Sequence, residues 1–260
     1  MRKFIFDVDG TLTPSRGKIH DDFFPYMMHF SCKYDVYLVT GSDRKKTIDQ
    51  IGEELYNNCK RVYNCSGSDV YEADKNVYRD DWELPKKVER FLEDELAYSC
   101  FPIRNGLHIE HRPGGVNFSI LGRGKDPSVG RMEYMEWDIE RLEREDIAER
   151  IRNHFPELTV ALGGQTGIDI GPKGADKSQI LRDFTKDDEI HFFGDRMDPN
   201  GNDYSLATAV VGDMSGTSYF VGNWRETWSK LIELEHAEKL HEIVINKYIP
   251  NSKFVMTSPI

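Results

Sequence analysis

Cysteine is sparse in this 260-residue chain, with Cys32, Cys59, Cys65 and Cys100 alone, none in a Cys-x-x-Cys pair and none beside a histidine at zinc-ligand spacing. That argues against a disulfide framework or a zinc ribbon and leaves free thiols in a reducing compartment. Positive charge is also short: 34 Lys and Arg stand against 45 Asp and Glu, a formal net charge of -11. A diffuse negative field repels nucleic acid and anionic membranes, so neither is an expected partner. A small anionic substrate would need a local cluster of cations. No apolar stretch approaches the roughly 20 residues that span a bilayer. The apolar run after Met1-Arg2-Lys3 ends at Asp7, too soon for a signal peptide. Internal repeats and low-complexity tracts are missing as well. A soluble, cytoplasmic globular protein is the expectation.

What is present suits a sizeable core: 38% of residues are hydrophobic and 30% charged. Phe4-Ile5-Phe6 and Val36-Tyr37-Leu38-Val39 are short apolar runs that predict buried parallel strands. They stop at Asp7 and at Thr40-Gly41-Ser42-Asp43. From Arg44 to Leu55, Ile48, Ile51 and Leu55 fall at helical spacing, which gives βα alternation and a parallel sheet. Ile190 to Phe193, ending at Gly194-Asp195, and Ala209-Val210-Val211, ending at Gly212-Asp213, predict two further strands. In open α/β sheets ligands bind at the carboxyl ends of strands, where these polar residues fall. Tyr26 to Phe30 reads as helix core, and Trp224 to Ile245 as a late helix packed through Trp224 and Trp228.

The middle reads differently. Leu84 to Tyr98 is an amphipathic helix, Leu107 to Arg112 and Val116 to Leu121 are strands joined by Pro113-Gly114-Gly115, and Arg131 to Phe155 is one long charged helix. Leu158 to Leu162 and Ile168 to Ile170 are two more strands. This order predicts an α+β module with an antiparallel sheet, residues 80–174, inserted into an α/β core made of 1–79 and 175–260.

The chemistry concentrates first in Asp7-Val8-Asp9-Gly10-Thr11-Leu12-Thr13. Two carboxylates one residue apart, just past a strand, can both face one site. One can attack phosphorus; the other can protonate the leaving oxygen and later activate the incoming one. Gly10 allows the tight turn. A second concentration runs from His108 to Arg123, followed by Arg131, with Arg16 after the first motif. Arg112, Arg123 and Arg131 would form an anion pocket in an acidic protein, because arginine grips phosphate through a rigid fork.

The first motif resembles that of the haloacid dehalogenase (HAD) superfamily. Thr40-Gly41-Ser42, Lys177 and Gly194-Asp195 with Asn202-Asp203 are similar to its other motifs, in the expected order. The second concentration is similar to the eukaryotic-type phosphomannomutases: Arg112, then Asn117-Phe118-Ser119-Ile120-Leu121-Gly122-Arg123, then Arg131. Gly163-Gly164-Gln165 with Asp169, and Phe192 to Asp203 including Pro199-Asn200-Gly201, fit the same family. The resemblance covers residues 3–205. It implies a Rossmann-like HAD core with an inserted α+β cap. Its activity would be interconversion of mannose 6-phosphate and mannose 1-phosphate, a step of GDP-mannose biosynthesis. The route implied runs through an aspartyl phosphate and a hexose 1,6-bisphosphate, which also serves as activator. Asp7 would be nucleophile, Asp9 acid/base and Lys177 the stabilising cation. Thr40 and Ser42 would hold the transferring phosphoryl. Arg112, Arg123 and Arg131 would hold the distal phosphate, with Arg16 at the domain junction and Asp169 on sugar hydroxyls. Mg²⁺ would be bound by Asp7, the Asp9 carbonyl and Asp195; Asp203 either joins them or orders the loop and Lys177. The related mutases pair through their caps, so a homodimer is implied.

Four positions depart from the family. Gly167 stands where it has Ser, and Arg112-Pro113-Gly114-Gly115 where it has Arg-Asn-Gly-Met. Thr40 replaces a Gly, as in sugar phosphatases of the superfamily. Ala207-Thr208-Ala209 supplies no carboxylate for a second cation loop. Two other readings therefore stay open. A sugar-phosphate phosphatase shares the Asp7 centre but needs no distal phosphate site. A non-catalytic binding protein would not need Asp7.

Overall fold

The computed structural model describes residues 2–248 apart from 127, 200 and 215, and only the backbone of 240–248. Asn200 of Pro199-Asn200-Gly201 and the residues from 249 onward lie outside the described residues. The chain begins with β1 (Arg2–Phe6), α1 (Phe23–Lys33), β2 (Asp35–Val39), α2 (Arg44–Ile51) and α3 (Glu53–Asn58), followed by β3 (Arg61–Asn64), β4 (Asp69–Glu72) and β5 (Lys75–Arg79). The middle holds α4 (Lys86–Tyr98), β6 (Leu107–Arg112), β7 (Gly115–Arg123), α5 (Arg131–Arg141), α6 (Glu143–His154), β8 (Leu158–Gly163) and β9 (Gly167–Pro172). A 3-10 segment (Lys177–Asp183), β10 (Glu189–Gly194), α7 (Tyr204–Gly212), β11 (Gly216–Phe220) and α8 (Trp224–Tyr248) complete it.

Seven strands form one sheet in the order β11-β10-β1-β2-β3-β4-β5. It is parallel from β11 to β3 and ends in an antiparallel β3-β4-β5 meander. β1 lies inside this sheet, so both its faces are covered, as an uninterrupted apolar run demands. Phe4 and Phe6 pack into the cluster of Phe23, Met27 and Phe30 from α1 and Leu231 from α8. Ile5 points the other way, among Ile180, Phe192, Leu206 and Val210. All three are 2% exposed or less; burying each contributes about 1.5–3 kcal/mol.

The second sheet, β6-β7-β9-β8, is antiparallel. Its core is its own: Val88 and Leu92 of α4, Phe118 and Ile120 of β7, Ile147 and Ile151 of α6, Ile168 and Ile170 of β9. Pro113-Gly114 makes the β6–β7 turn, with Arg112 opposite Gly115. Gly114 has φ +67° and sits so close to Ser68 that an added Cβ would lie 2.2 Å from its hydroxyl oxygen. The hairpin tip therefore rests on the larger sheet's side of the molecule. The architecture is α/β, a mostly parallel sheet with helices and a separate antiparallel sheet.

Three elements differ from expectation. The Arg44–Leu55 helix is two helices, broken at Gly52 with φ +83°. The long charged helix is also two, broken at Leu142 with φ +54°. Ala209-Val210-Val211 is not a strand but the end of α7, where Leu206, Ala207 and Val210 are buried at helical spacing. Three apolar residues are too few to distinguish period 2 from period 3.6. The strand at that edge is the polar GTSYF of β11, which has only one neighbour to pair with. Among the described residues no helix is long and apolar enough to cross a membrane.

Candidate active site

The carboxyl end of β1 delivers Asp7, whose backbone N–H donates to Phe193 O of β10 at 2.9 Å. Val8 to Thr13 then curl tightly, with Leu12 N and Thr13 N both donating to Val8 O at 3.0 Å. Gly10 has φ +88° at the crest, and a Cβ there would lie 2.2 Å from Asp195 Oδ2. Glycine is required both by the backbone and by the neighbouring carboxylate. Asp195 follows β10. Asp203 closes the next loop, its Oδ2 accepting from Arg196 N at 3.0 Å.

Lys177 reaches into this centre from the 3-10 segment. Its ammonium donates to Asp7 Oδ1 at 2.5 Å and to Asp203 Oδ1 at 2.6 Å. The lysine, Asp7 and Asp203 are buried. Asp7, Asp195 and Asp203 each offer an oxygen within 4.8 Å of the others. Three carboxylates meet beside one lysine, which hydrogen-bonds two of them, so the centre is short of positive charge. Burial, against the pull of Lys177 and with the push of Asp203 and Asp195, raises Asp7 well above the carboxylate range. Burial and then Asp203 push Asp195 up to about 6. Lys177 moves up as well, because Asp203 and Asp7 outweigh burial. Asp7 Oδ2 is buried with no hydrogen-bond partner. An orphaned carboxylate oxygen beside two more carboxylates fits a hard divalent cation, which takes oxygen ligands. The cluster is consistent with a metal site.

Asp9 points elsewhere. Its Oδ1 accepts from Arg16 N at 2.5 Å and Gln50 Nε2 at 2.9 Å; its Oδ2 accepts from Lys46 Nζ at 3.3 Å and Ser42 Oγ at 3.4 Å. Burial would raise this carboxyl, but Lys46, the Arg16 N–H and Gln50 hold it below the usual range. Ser42 thus belongs to the Asp9 network. Thr40, fully buried, turns its hydroxyl oxygen to Ser42 N at 3.1 Å. Lys46 and Gln50 went unmarked in the sequence. They lie four residues apart on α2, one turn beyond Thr40-Gly41-Ser42, so helical spacing after that motif was the available signal.

The arginines gather on the four-stranded sheet. Register places Glu110 opposite Asn117, and Asn117 opposite Asp169, in one row across β6, β7 and β9. Arg112 Nε donates to Glu110 Oε2 at 3.0 Å, and Arg112 Nη1 lies 3.7 Å from Asp169 Oδ1. Arg123 Nε donates to Asn117 Oδ1 at 2.9 Å and lies 3.3 Å from Glu110 Oε2. Arg131, opening α5, donates to Gln165 Oε1 at 3.1 Å. Arg16 joins them: a Cβ on Gly164 would lie 3.1 Å from its Nη2. Burial would pull Arg112 down, but Asp169 and Glu110 raise it. Arg123 is lowered by burial and then by Arg112, with Arg16 adding to the push. Arg131 is lowered by burial, Arg16 and Arg123. Cations that depress one another mark a concentration of positive charge in an acidic chain. Glu110 and Asn117, which hold the arginines, carried no role in the sequence reading; period-2 alternation with Arg112 and Asp169 was the signal for them.

The structure therefore brings Asp7, Lys177, Asp195 and Asp203 together. It sets Asp9, Ser42 and the Arg16 backbone beside them, and groups Arg112, Arg123, Arg131, the Arg16 side chain and Asp169 separately. Known proteins resemble this chain in sequence and fold. The chain matches the sequence model of "Eukaryotic phosphomannomutase" over residues 24–234. It is 32% identical to the phosphomannomutase of Saccharomyces cerevisiae over 212 residues, 78% of this chain and 83% of that one. It is 30% identical to phosphomannomutase 1 of Mus musculus over 250 residues, 92% and 94% of the two chains. Among solved structures, a haloacid dehalogenase-like hydrolase from Bacteroides thetaiotaomicron superposes with a TM-score of 0.54 at 15% identity, over 80% of this chain and 85% of that one, a likeness of fold. With the family matched over most of its length, the chain belongs to the eukaryotic phosphomannomutases.

Proposed function

We propose that the chain interconverts mannose 6-phosphate and mannose 1-phosphate through phospho-Asp7 and a hexose 1,6-bisphosphate, with a catalytic amount of that bisphosphate as activator. The observation that carries this reading is the arginine cluster. A bisphosphate presents two phosphates, and the chain offers an acidic centre with a lysine for one and four mutually crowded arginines for the other. Hydrolysis of a monophosphate needs no second phosphate site.

Asp7 Oδ1 is held by Lys177, which leaves Oδ2 to attack. Asp9, kept ionised by its donors, acts first as base. It takes the proton of the sugar hydroxyl as that oxygen attacks phospho-Asp7 and the Asp7–phosphorus bond breaks. The bisphosphate then turns, with one phosphate always on the arginines. Asp7 Oδ2 attacks the other phosphorus, and the departing sugar oxygen takes the proton back from Asp9. Lys177 sits where charge develops on the transferring oxygens. Thr40 and Ser42 shape the turn that faces the phosphoryl, and Asp169 accepts from sugar hydroxyls. Mg²⁺ would be held by Asp7, Asp195 and the Asp9 carbonyl. Asp203 would join them or, with both its oxygens already accepting from Lys177 and Arg196, hold the lysine. The ion supplies the positive charge that three carboxylates beside a phosphate require.

We assign 1–79 and 175–260 to the core and 80–174 to a cap that closes over it and excludes water from the acyl phosphate. The separate hydrophobic cores of the two sheets support that division. A homodimer through the cap is supported by Met132, Ile139 and Leu142, exposed along and just beyond α5. Four free cysteines suit the cytoplasm. The test is a phosphorus NMR time course with mannose 6-phosphate, Mg²⁺ and glucose 1,6-bisphosphate. Mannose 1-phosphate should form, and should not form with Asp7→Asn or Arg131→Ala. Growth of inorganic phosphate alone would replace the mutase with a sugar-phosphate phosphatase.

A further inference from the structure

One uncharged side chain hydrogen-bonds both the cation cluster and the carboxylate beside it. Asn117 is 2% exposed. Its carboxamide oxygen accepts from Arg123 Nε at 2.9 Å, and its carboxamide nitrogen donates to Asp169 Oδ1 at 2.5 Å. A carboxamide accepts from a guanidinium through its oxygen while donating to a carboxylate through its nitrogen. The space it occupies exists because residue 167 is glycine. An ideal Cβ on Gly167 would lie 2.6 Å from both the oxygen and the nitrogen of the Asn117 carboxamide. Gly167 lies in β9, in extended backbone that other residues adopt, so its glycine bears on this contact and not on the chain conformation.

We infer that Asn117 is a positioning residue, and that glycine at 167, where the family has Ser, gives its carboxamide the place it holds in this chain. Resting on the mutase reading above, Asn117 fixes the distance between a phosphate-binding arginine and a hydroxyl-binding carboxylate. It thereby sets which hexose phosphates fit between them. A side chain at 167 pushes the carboxamide aside and breaks both links, so the two positions act as one unit. Direct contact of residue 167 with the sugar would instead make its effect independent of Asn117.

A double-mutant cycle separates these cases. Asn117→Ala, Gly167→Ala and the double variant are titrated with mannose 1-phosphate by calorimetry, assayed for KM and kcat, and melted to check folding. Each single variant should weaken binding by roughly 10- to 100-fold, the loss of one or two hydrogen bonds to charged groups, and act more on KM than on kcat. The double variant should bind no worse than Asn117→Ala alone. If Asn117→Ala does not fold, Asn117→Ser, too short to reach both partners, takes its place. Losses that multiply in the double variant, or unchanged binding in Asn117→Ala, would overturn the inference. Binding by the unaltered chain without mutase turnover would sink the proposed function, and the binding cycle would still decide the role of Asn117. An unaltered chain that does not bind mannose 1-phosphate overturns both.

Discussion

Replacing Lys177 with methionine removes the buried cation while keeping an unbranched side chain in its place. Lys177 and Asp203 have side chains that are 0% exposed and that of Asp7 is 4% exposed, so solvent screens none of these contacts appreciably. The variant leaves Asp7 and Asp203 buried without their shared donor. Breaking a buried ion pair from one side costs about 3–5 kcal/mol. At about 2–4 °C per kcal/mol for a chain of this size, the midpoint should fall by about 6–20 °C. The loss is specific in two ways. Adding Asp203→Asn to Lys177→Met should recover part of it, because one stranded charge disappears. Raising Mg²⁺ from zero should stabilise the variant more than the unaltered chain, because the ion then supplies positive charge that Lys177 no longer does. Calorimetric melts across a Mg²⁺ series measure both. A fall below about 2 °C, or a double variant whose losses simply add, would show that the centre is not the charge-starved cluster described above.

Gly10→Ala forces φ +88° on a residue with a Cβ and drives it into Asp195; the left-handed backbone alone costs about 1–2 kcal/mol. Steady-state assays should show turnover reduced roughly 100-fold through the displaced carboxylate. Leu142 adopts φ +54° between α5 and α6 and is well exposed. Leu142→Gly should raise stability by up to about 1 kcal/mol in chemical denaturation, the relief of left-handed strain less the entropy of glycine. Burial pushes the Cys59 and Cys65 thiols up to about 12, whereas Cys32 and Cys100 are exposed. A thiol reagent at pH 8 should therefore label Cys32 and Cys100 in the native state and all four cysteines only on unfolding, read by mass spectrometry.

The parts of this molecule that could be read from sequence are those where one residue type is forced. Phe4-Ile5-Phe6 has no polar face, so it must lie inside a sheet; Asp7-Val8-Asp9-Gly10 follows immediately and needs no tertiary information to be placed. Arg112 and Asp169 fell within the expected strands, and Arg123 two residues past the expected end of one, which the structure extends to Arg123. What escaped was set by longer-range packing. Gly52 and Leu142 break helices without proline or any change in hydrophobic period. Val210 is buried in α7 whereas the polar β11 takes the edge, because an edge strand needs no apolar run. Lys46, Gln50, Glu110 and Asn117 are ordinary polar residues until register or helical phase brings them to Asp9 or to the arginines.

The nucleophile and its lysine are 170 positions apart. β1 pairs on one side with β2, soon after it, and on the other with β10, which arrives only at Glu189. A ribosome therefore completes one side of β1 and the whole antiparallel unit before the other side of β1 has a partner. Until residue 177 the chain carries Asp7 and Asp9 without their lysine, and Asp195 and Asp203 come only at and after the end of β10. The same late segment therefore pairs the free edge of β1 and completes the buried carboxylate centre. Long-range pairing of this kind is slow. The order of synthesis thus makes the centre one of the last parts of the molecule to assemble.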